Sequence, residues 1–239
     1  MMREEKIQLS TSDGHTIFGT LNTADNDAVM IFVHGFTGHQ NEHHYFNAVP
    51  FFLGHNFDTC RFDFYARKTE KARSLTDSSL TTHVQDLETV LQYCAKQYKK
   101  IIVVGHSLGP LVILQSDLSQ VSRIVLWDPT TPFHDPAEKH AVFHEEMDKY
   151  IFEWGMDFVV SKEMVNEWMT MDLHKYVKEL SVPCKIIFAG NCNKYDAWQK
   201  YLPHFSVENE HTVIEGATHG FVEKGTEKKL FEETLAWIQ

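Results

Sequence analysis

A chain of 239 residues, 43% of them hydrophobic, is long enough for one α/β domain with a sizeable core. Its formal net charge of -11 and pI near 5.7, with no basic stripe, exclude a nucleic-acid or anionic-membrane surface and favour a small neutral or cationic ligand. The opening Met1-Met2-Arg3-Glu4-Glu5-Lys6 lacks the apolar core of a secretory signal, and no run is apolar enough to span a membrane, so a cytoplasmic location is expected.

In chain order, Lys6 to Ser10 and Thr16 to Leu21 read as short strands joined by the turn signal Ser12-Asp13-Gly14, a β-hairpin. Ala28 to Val33 has the composition of a buried strand and runs into His34-Gly35-Phe36-Thr37-Gly38, a loop rich in free backbone donors. The pattern predicts a helix over Asn41 to Leu53 closed by Gly54, then a strand over Phe57 to Phe62. Val84, Leu87, Leu91, Cys94 and Tyr98 recur at helical spacing, which predicts an amphipathic helix over Thr82 to Tyr98 packed on a sheet.

Ile101-Ile102-Val103-Val104 feeds directly into Gly105-His106-Ser107-Leu108-Gly109. The unbroken β-branched run predicts a strand buried on both faces, and Leu108 to Gln115 a helix, with Pro110 tolerated in its first turn. Between them the chain must turn sharply. Glycines two places either side of Ser107 remove the β-carbons that would collide, and the serine hydroxyl is left exposed on a strained turn, a nucleophile elbow. Arg123 to Trp127 reads as the next strand, ending at Asp128-Pro129.

From Phe133 to Leu180 the strand rhythm stops and Met, Trp, Phe, His and Glu dominate. The segment reads as a helical cap insertion within a single domain spanning 1–239, with helices over Glu138 to Phe152 and Ser161 to Trp168. Trp154, Met156, Trp168, Met169 and Met171 are then either pocket wall or core. His140 and His144, four apart on one predicted helix face, lack a third ligand, so no metal site is implied. The four widely spaced cysteines suit reduced thiols. Strand rhythm resumes at Cys184 to Ala189 and His211 to Glu215, and a helix over Thr226 to Ile238 closes the chain. Gly216-Ala217-Thr218-His219-Gly220 follows the last strand, putting His219 at the carboxyl end of the sheet, toward which Ser107 points. A serine hydroxyl needs a base near pH 7, which fits His219; His106, adjacent to the serine, reads as structural support.

With Ser-Asp-Gly-His in the hairpin, His34 to Gly38, Gly105 to Gly109 and Gly216 to His219, the sequence resembles the α/β-hydrolase superfamily over nearly its whole length. It looks most like its small esterases, such as cinnamoyl or feruloyl esterases, monoacylglycerol lipases and acyl-thioesterases. The resemblance implies a mostly parallel sheet flanked by helices, a serine nucleophile, a histidine base, and an oxyanion hole formed by the backbone amides of Phe36 and Leu108. It implies no cofactor and a small acyl ester or thioester as partner. The sequence departs from the family at the acid, because Asn193 stands three residues after Gly190, where the carboxylate usually lies. Three outcomes are open: Asp128, in a Trp-Asp-Pro context like that of pancreatic-type lipases and slightly favoured; Asp196, one helical turn beyond Asn193; or neither, with the histidine oriented by an asparagine or by no acid. The turn after the fourth strand also departs, with Arg67, Lys68, Lys71 and Arg73 where relatives carry glycines, either a solvated loop or an attractor of anions. Alongside esterase chemistry stand a serine aminopeptidase or amidase, with Glu145, Glu146 and Asp148 as anchors for an amino group, and a catalytically silent binding protein. Oligomeric state is not legible.

Overall fold

The computed structural model describes residues 2–66, 69 and 71–239. Eight strands form one sheet in the order β1-β2-β4-β3-β5-β6-β10-β11. The hairpin strands β1 (Arg3–Ser10) and β2 (Thr16–Thr23) pair antiparallel, and β2 joins β4 (Asp58–Asp63) antiparallel. From β4 onward every pairing is parallel, through β3 (Ala28–Val33), β5 (Lys100–His106), β6 (Arg123–Trp127), β10 (Cys184–Ala189) and β11 (Asn209–Ile214).

The β-branched runs are continuous because the central strands are covered on both sides. Ile101 and Val103 face one apolar cluster, with Leu87, Val90 and Leu91 of α2 (Leu80–Ala95). Ile102 and Val104 face the other, with Phe52 of α1 (His43–Leu53) and Leu230 and Phe231 of α7 (Thr226–Ile238). Side chains alternate across a strand, so a strand between two helical layers must be apolar at every position. Helix α2 starts two residues earlier than its apolar spacing indicates because Ser79 caps it: its hydroxyl accepts from the Thr82 amide and Thr82 Oγ1 accepts from the Ser79 amide in return. At the end of α1, Gly54 stays in the right-handed region and Asn56, with φ 67°, takes the left-handed position instead.

The insertion differs from expectation in its first half. Residues over which a helix was expected, Glu138 to Phe152, contain a short 3-10 turn (Pro136–Lys139) and then strands. β7 (Ala141–His144), β8 (Lys149–Glu153) and β9 (Asp157–Ser161) make a separate antiparallel sheet. His140 sits at a left-handed turn and His144 on β7, both exposed, so they do not share a helix face. The second half is helical, α4 (Lys162–Thr170) and α5 (Leu173–Glu179). Ala141, Phe152, Val160, Met164 and Trp168 bury the insertion against the main core. No helix among the described residues is long and apolar enough to cross a membrane.

Candidate active site

The site lies where the parallel strands end. β5 stops at His106 and α3 (Gly109–Ile113) starts at Gly109, leaving Ser107 and Leu108 to reverse the chain. Ser107 takes φ 61°, a left-handed conformation that a non-glycine residue adopts only where its surroundings enforce it. The flanking glycines are required by contact. A β-carbon on Gly105 would lie 2.5 Å from Ile113 Cδ1, and one on Gly109 would lie 2.4 Å from the Val33 carbonyl oxygen. Ser107 N–H donates to the Trp127 carbonyl (3.1 Å) and its carbonyl accepts from Thr130 N–H (2.9 Å), tying the turn to the end of β6.

His219 reaches the serine from the loop between β11 and α7. Its Nε2 lies 2.9 Å from Ser107 Oγ, and its Nδ1 lies 2.5 Å from Asp128 Oδ2. Asp128 follows β6, has φ 40° and is fully buried. Its other oxygen, Oδ1, accepts from Ala189 N–H at 3.0 Å, so Oδ2 is the oxygen left for the imidazole. A carboxylate only accepts, which assigns the proton to Nδ1 and leaves Nε2 to accept from the serine hydroxyl. The histidine loop is held by its own bonds: Thr218 donates through N–H and Oγ1 to Glu223, and Asn191 N–H donates to the Ala217 carbonyl.

Of the two candidate acids, Asp128 therefore meets His219 and Asp196 does not. Asp196 lies on α6 (Lys194–Trp198), exposed, its nearest side-chain partner being Gln199 at 3.5 Å. Asn193, immediately before α6, is also exposed. His106 is a support, as its position indicated. Its Nε2–H donates to the His219 carbonyl (2.7 Å), its ring packs 4.5 Å from the His219 ring, and burial holds its pKa well below the ordinary range.

The loop after β3 approaches the serine so closely that a β-carbon on Gly35 would lie 2.8 Å from Ser107 Cβ. Buried His34 braces it: Nδ1–H donates to the Gly35 carbonyl (2.8 Å) and Nε2 accepts from Phe64 N–H (3.1 Å). Burial lowers its pKa, favouring the neutral ring that this donor-acceptor pair requires. Thr37 in the same loop has φ 62°. The backbone amides of Phe36 and Leu108 have no hydrogen-bond acceptor among the described residues. The serine, the histidine and this loop share a cavity of about 350 Å³, whose wall also includes Glu42, Thr130, Lys139, Trp154, Trp168 and Lys194.

Several wall residues were not singled out by sequence. Glu42 precedes α1, and burial raises its carboxyl to about 7. Its Oε2 is buried without a hydrogen-bond partner, 3.9 Å from His44 Nε2, and burial lowers His44 to about 3. The aromatic and Met residues of the insertion divide. Trp154 and Trp168 wall the cavity, Met156 lines a neighbouring one of about 870 Å³ that shares Thr37, and Met169 and Met171 pack on the core. Glu145, Glu146 and Asp148 are exposed on and beside the β7–β8 turn and do not line the site.

Two groups of three ligand-type side chains converge to within 4.8 Å among the described residues, Glu42-His44-His106 and Asp128-Cys192-His219. The second overlaps the serine-histidine-aspartate chain, and in the first His106 Nε2 is committed to the His219 carbonyl. All four cysteines are free thiols. In the loop after β4, Arg73 is buried and bonded to Asp13 and Asp86, so it is neither solvated nor facing the cavity; Arg67 and Lys68 lie outside the described residues.

Among solved structures, the chain is similar to Est1E from Butyrivibrio proteoclasticus, with a TM-score of 0.78 and 18% identity over 97% of this chain and 98% of that one. It is similar to the alpha/beta hydrolase GrgF from Penicillium sp. sh18 (TM-score 0.79, 12% identity, 99% and 98% covered). It is also similar to the Pyrococcus furiosus esterase Pf2001 (TM-score 0.72, 17% identity, 100% and 94% covered). At such identities the likeness concerns the fold. No curated protein sequence matches the chain. The profile of the alpha/beta hydrolase family matches residues 30–212, which takes in the loop after β3, the elbow and Asp128. On that match and this architecture, the chain belongs to the alpha/beta hydrolase family.

Proposed function

We propose that the protein is a serine hydrolase that cleaves a carboxylic ester or thioester through an acyl-serine intermediate, with Ser107 as nucleophile, His219 as base and Asp128 as acid. The observation that carries this reading is the continuous chain from Ser107 Oγ through His219 to a fully buried Asp128, opening on a cavity bounded by the Phe36 loop. Ser107 Oγ attacks the acyl carbon while its proton passes to His219 Nε2, and Asp128 stabilises the imidazolium through Nδ1. Charge develops on the carbonyl oxygen, where the Phe36 and Leu108 amides donate to it without reorganising. The C–O or C–S bond then breaks, and His219 returns the proton to the leaving oxygen or sulfur. Water, deprotonated by the same histidine, releases the acid and restores the serine.

The segment 133–180 acts as the cap, selecting substrate through Lys139, Trp154 and Trp168. An aminopeptidase needs an acidic anchor for a cationic amino group; the three acids of the β7–β8 region do not line the cavity, and Glu42, the carboxyl in its wall, is held partly protonated by burial and faces a space that also carries Lys139 and Lys194, which leaves the ester reading the better supported. The experiment is kcat/KM on p-nitrophenyl esters from acetate to dodecanoate, wild type against Ser107→Ala. Turnover lost in the variant supports the proposal, and the optimal chain length reports the depth of the pocket. Turnover retained by the variant, or none on any ester, overturns it.

A further inference from the structure

The cavity wall carries two cations in a chain whose formal charge is -11. Lys139 comes from the 3-10 turn that opens the insertion and Lys194 from the start of α6, elements far apart in sequence that converge on the same space. Neither ammonium comes within 4.0 Å of a carboxylate among the described residues, and Glu138 acts on Lys139 only from further off. Lys194 Nζ is 3.5 Å from Thr130 Oγ1, a neutral group. Lys139 Nζ stands over the rings of Trp168 and Phe133, at 5.7 and 5.9 Å. The one carboxylate adjacent in sequence, Glu138, accepts from the His134 and Asp135 amides at 3.1 Å.

Two half-buried ammonium groups lining one cavity beside a nucleophile, with no carboxylate in direct contact with either, are costly unless something negative joins them. Burial and then the Lys194 charge pull the Lys139 pKa below its ordinary value, and the smaller opposing pull of Glu138 does not restore it. The backbone that carries Lys139 is fixed, because Trp154 Nε1–H donates to its carbonyl at 2.7 Å. Glu42 faces the same cavity from the α1 side, but it is not among the groups acting on Lys139, and burial keeps its carboxyl partly protonated near neutrality.

We infer that Lys139 and Lys194 form an anion subsite, and that the substrate of the proposed hydrolase carries a carboxylate or similar anion beside the scissile bond. This rests on the acyl-serine reading for its chemistry, though not for the binding of the anion. It revises the charge-based expectation of a neutral or cationic ligand: net charge describes the whole surface, whereas a cavity is governed by the few charges that line it. The Lys139 ammonium over Trp168 also gives the bound anion a spectroscopic reporter.

The test has two matched pairs. Mono-p-nitrophenyl adipate against p-nitrophenyl hexanoate places the anion on the acyl side, and 4-acetoxybenzoate against its methyl ester places it on the leaving group. The inference expects the anionic member to be preferred in kcat/KM in one pair by on the order of tenfold per lysine, the worth of a charge-assisted hydrogen bond. That ratio should fall stepwise toward one in Lys139→Met, Lys194→Met and the double variant, and shrink with added salt. Equal or inverse ratios in both pairs for wild type, or a preference that survives in the double variant, overturn the inference while leaving ester hydrolysis intact. A readout without turnover keeps the two readings separable: monomethyl adipate and dimethyl adipate are titrated into Ser107→Ala, with and without the double lysine substitution, followed by tryptophan fluorescence. Tighter binding of the monoanion that disappears with the lysines supports the subsite even if no ester is turned over, and equal binding of the two overturns it.

Discussion

Replacing Asp128 with asparagine separates a histidine oriented by that carboxylate from one that works without it. The Ala189 amide donates to Oδ1 of Asp128 at 3.0 Å, and the side chain is fully buried. Asparagine in the same rotamer keeps its oxygen on that amide and therefore turns its NH2 toward His219 Nδ1. The ring must then accept at Nδ1 and carry its proton on Nε2, which faces Ser107 Oγ at 2.9 Å and can no longer take a proton from it. The flipped asparagine restores the useful tautomer but sets NH2 against the Ala189 N–H, at about 1–3 kcal/mol for a buried amide left unpaired. That alone keeps about five in six or more of the molecules in the wrong tautomer. The remaining competent fraction lacks the negative charge that stabilises the imidazolium. The combined loss expected is on the order of 10⁴ in kcat, about 5 kcal/mol of barrier. The assay is p-nitrophenyl acetate turnover for Asp128→Asn and Asp196→Asn, with circular dichroism to establish that both are folded. Asp196 is exposed and away from His219, so its variant should stay close to wild type. A loss under tenfold at Asp128, or a comparable loss at Asp196, would show that the Asp128 carboxylate does not set the His219 tautomer.

Other outcomes follow from contacts at the same end of the sheet. Gly109→Ala would put a β-carbon 2.4 Å from the Val33 carbonyl oxygen, which can yield only by moving the start of the Phe36 loop. Denaturant melts should show a loss of about 1–3 kcal/mol together with a fall in kcat, and a fully stable, fully active variant would contradict the packing described. Glu42 has a folded-state pKa of about 7 against an ordinary 4.5, raised by burial, so the folded protein holds this proton more tightly than the unfolded chain. Its penalty is absent below the unfolded value, grows as pH rises between the two and is complete above the folded one; at 1.36 kcal/mol per pH unit it reaches about 3 kcal/mol. Glu42→Gln should therefore stabilise the protein progressively from acid to mildly alkaline pH in urea melts, whereas a pH-independent difference would contradict the assignment.

How much of this was legible in the sequence depended on how local each signal is. Ala28–Val33, Arg123–Trp127, Cys184–Ala189 and the helix Thr226–Ile238 have the observed boundaries because continuous burial or helical periodicity is written into each segment alone. The glycines around Ser107 were equally direct, since a missing β-carbon is a visible mark of a close approach. The three-stranded sheet of the insertion was not, because Glu145, Glu146 and Met147 favour helices while the strands depend on pairing with one another. The available signals were Tyr150-Ile151-Phe152 and Phe158-Val159-Val160, with turns at Asp148 (φ 49°) and Gly155 (φ 78°). Asp128 and Asp196 were inseparable by spacing, because only the pairing of β6 with β10 sets Asp128 under Ala189 and beside the histidine loop. Lys139, Lys194 and Glu42 carried no sequence pattern at all; they meet only through the fold.

Acyl-serine chemistry requires that Ser107 itself be acylated during turnover. Wild-type protein mixed with p-nitrophenyl acetate, quenched in acid during the first turnovers, digested and mapped by mass spectrometry tests it most directly. One acetyl group is expected on the peptide containing Ser107, formed with a burst of p-nitrophenol and absent in Ser107→Ala. Steady turnover with no acetylated Ser107, or with the acetyl group on a histidine, lysine or cysteine instead, would contradict it.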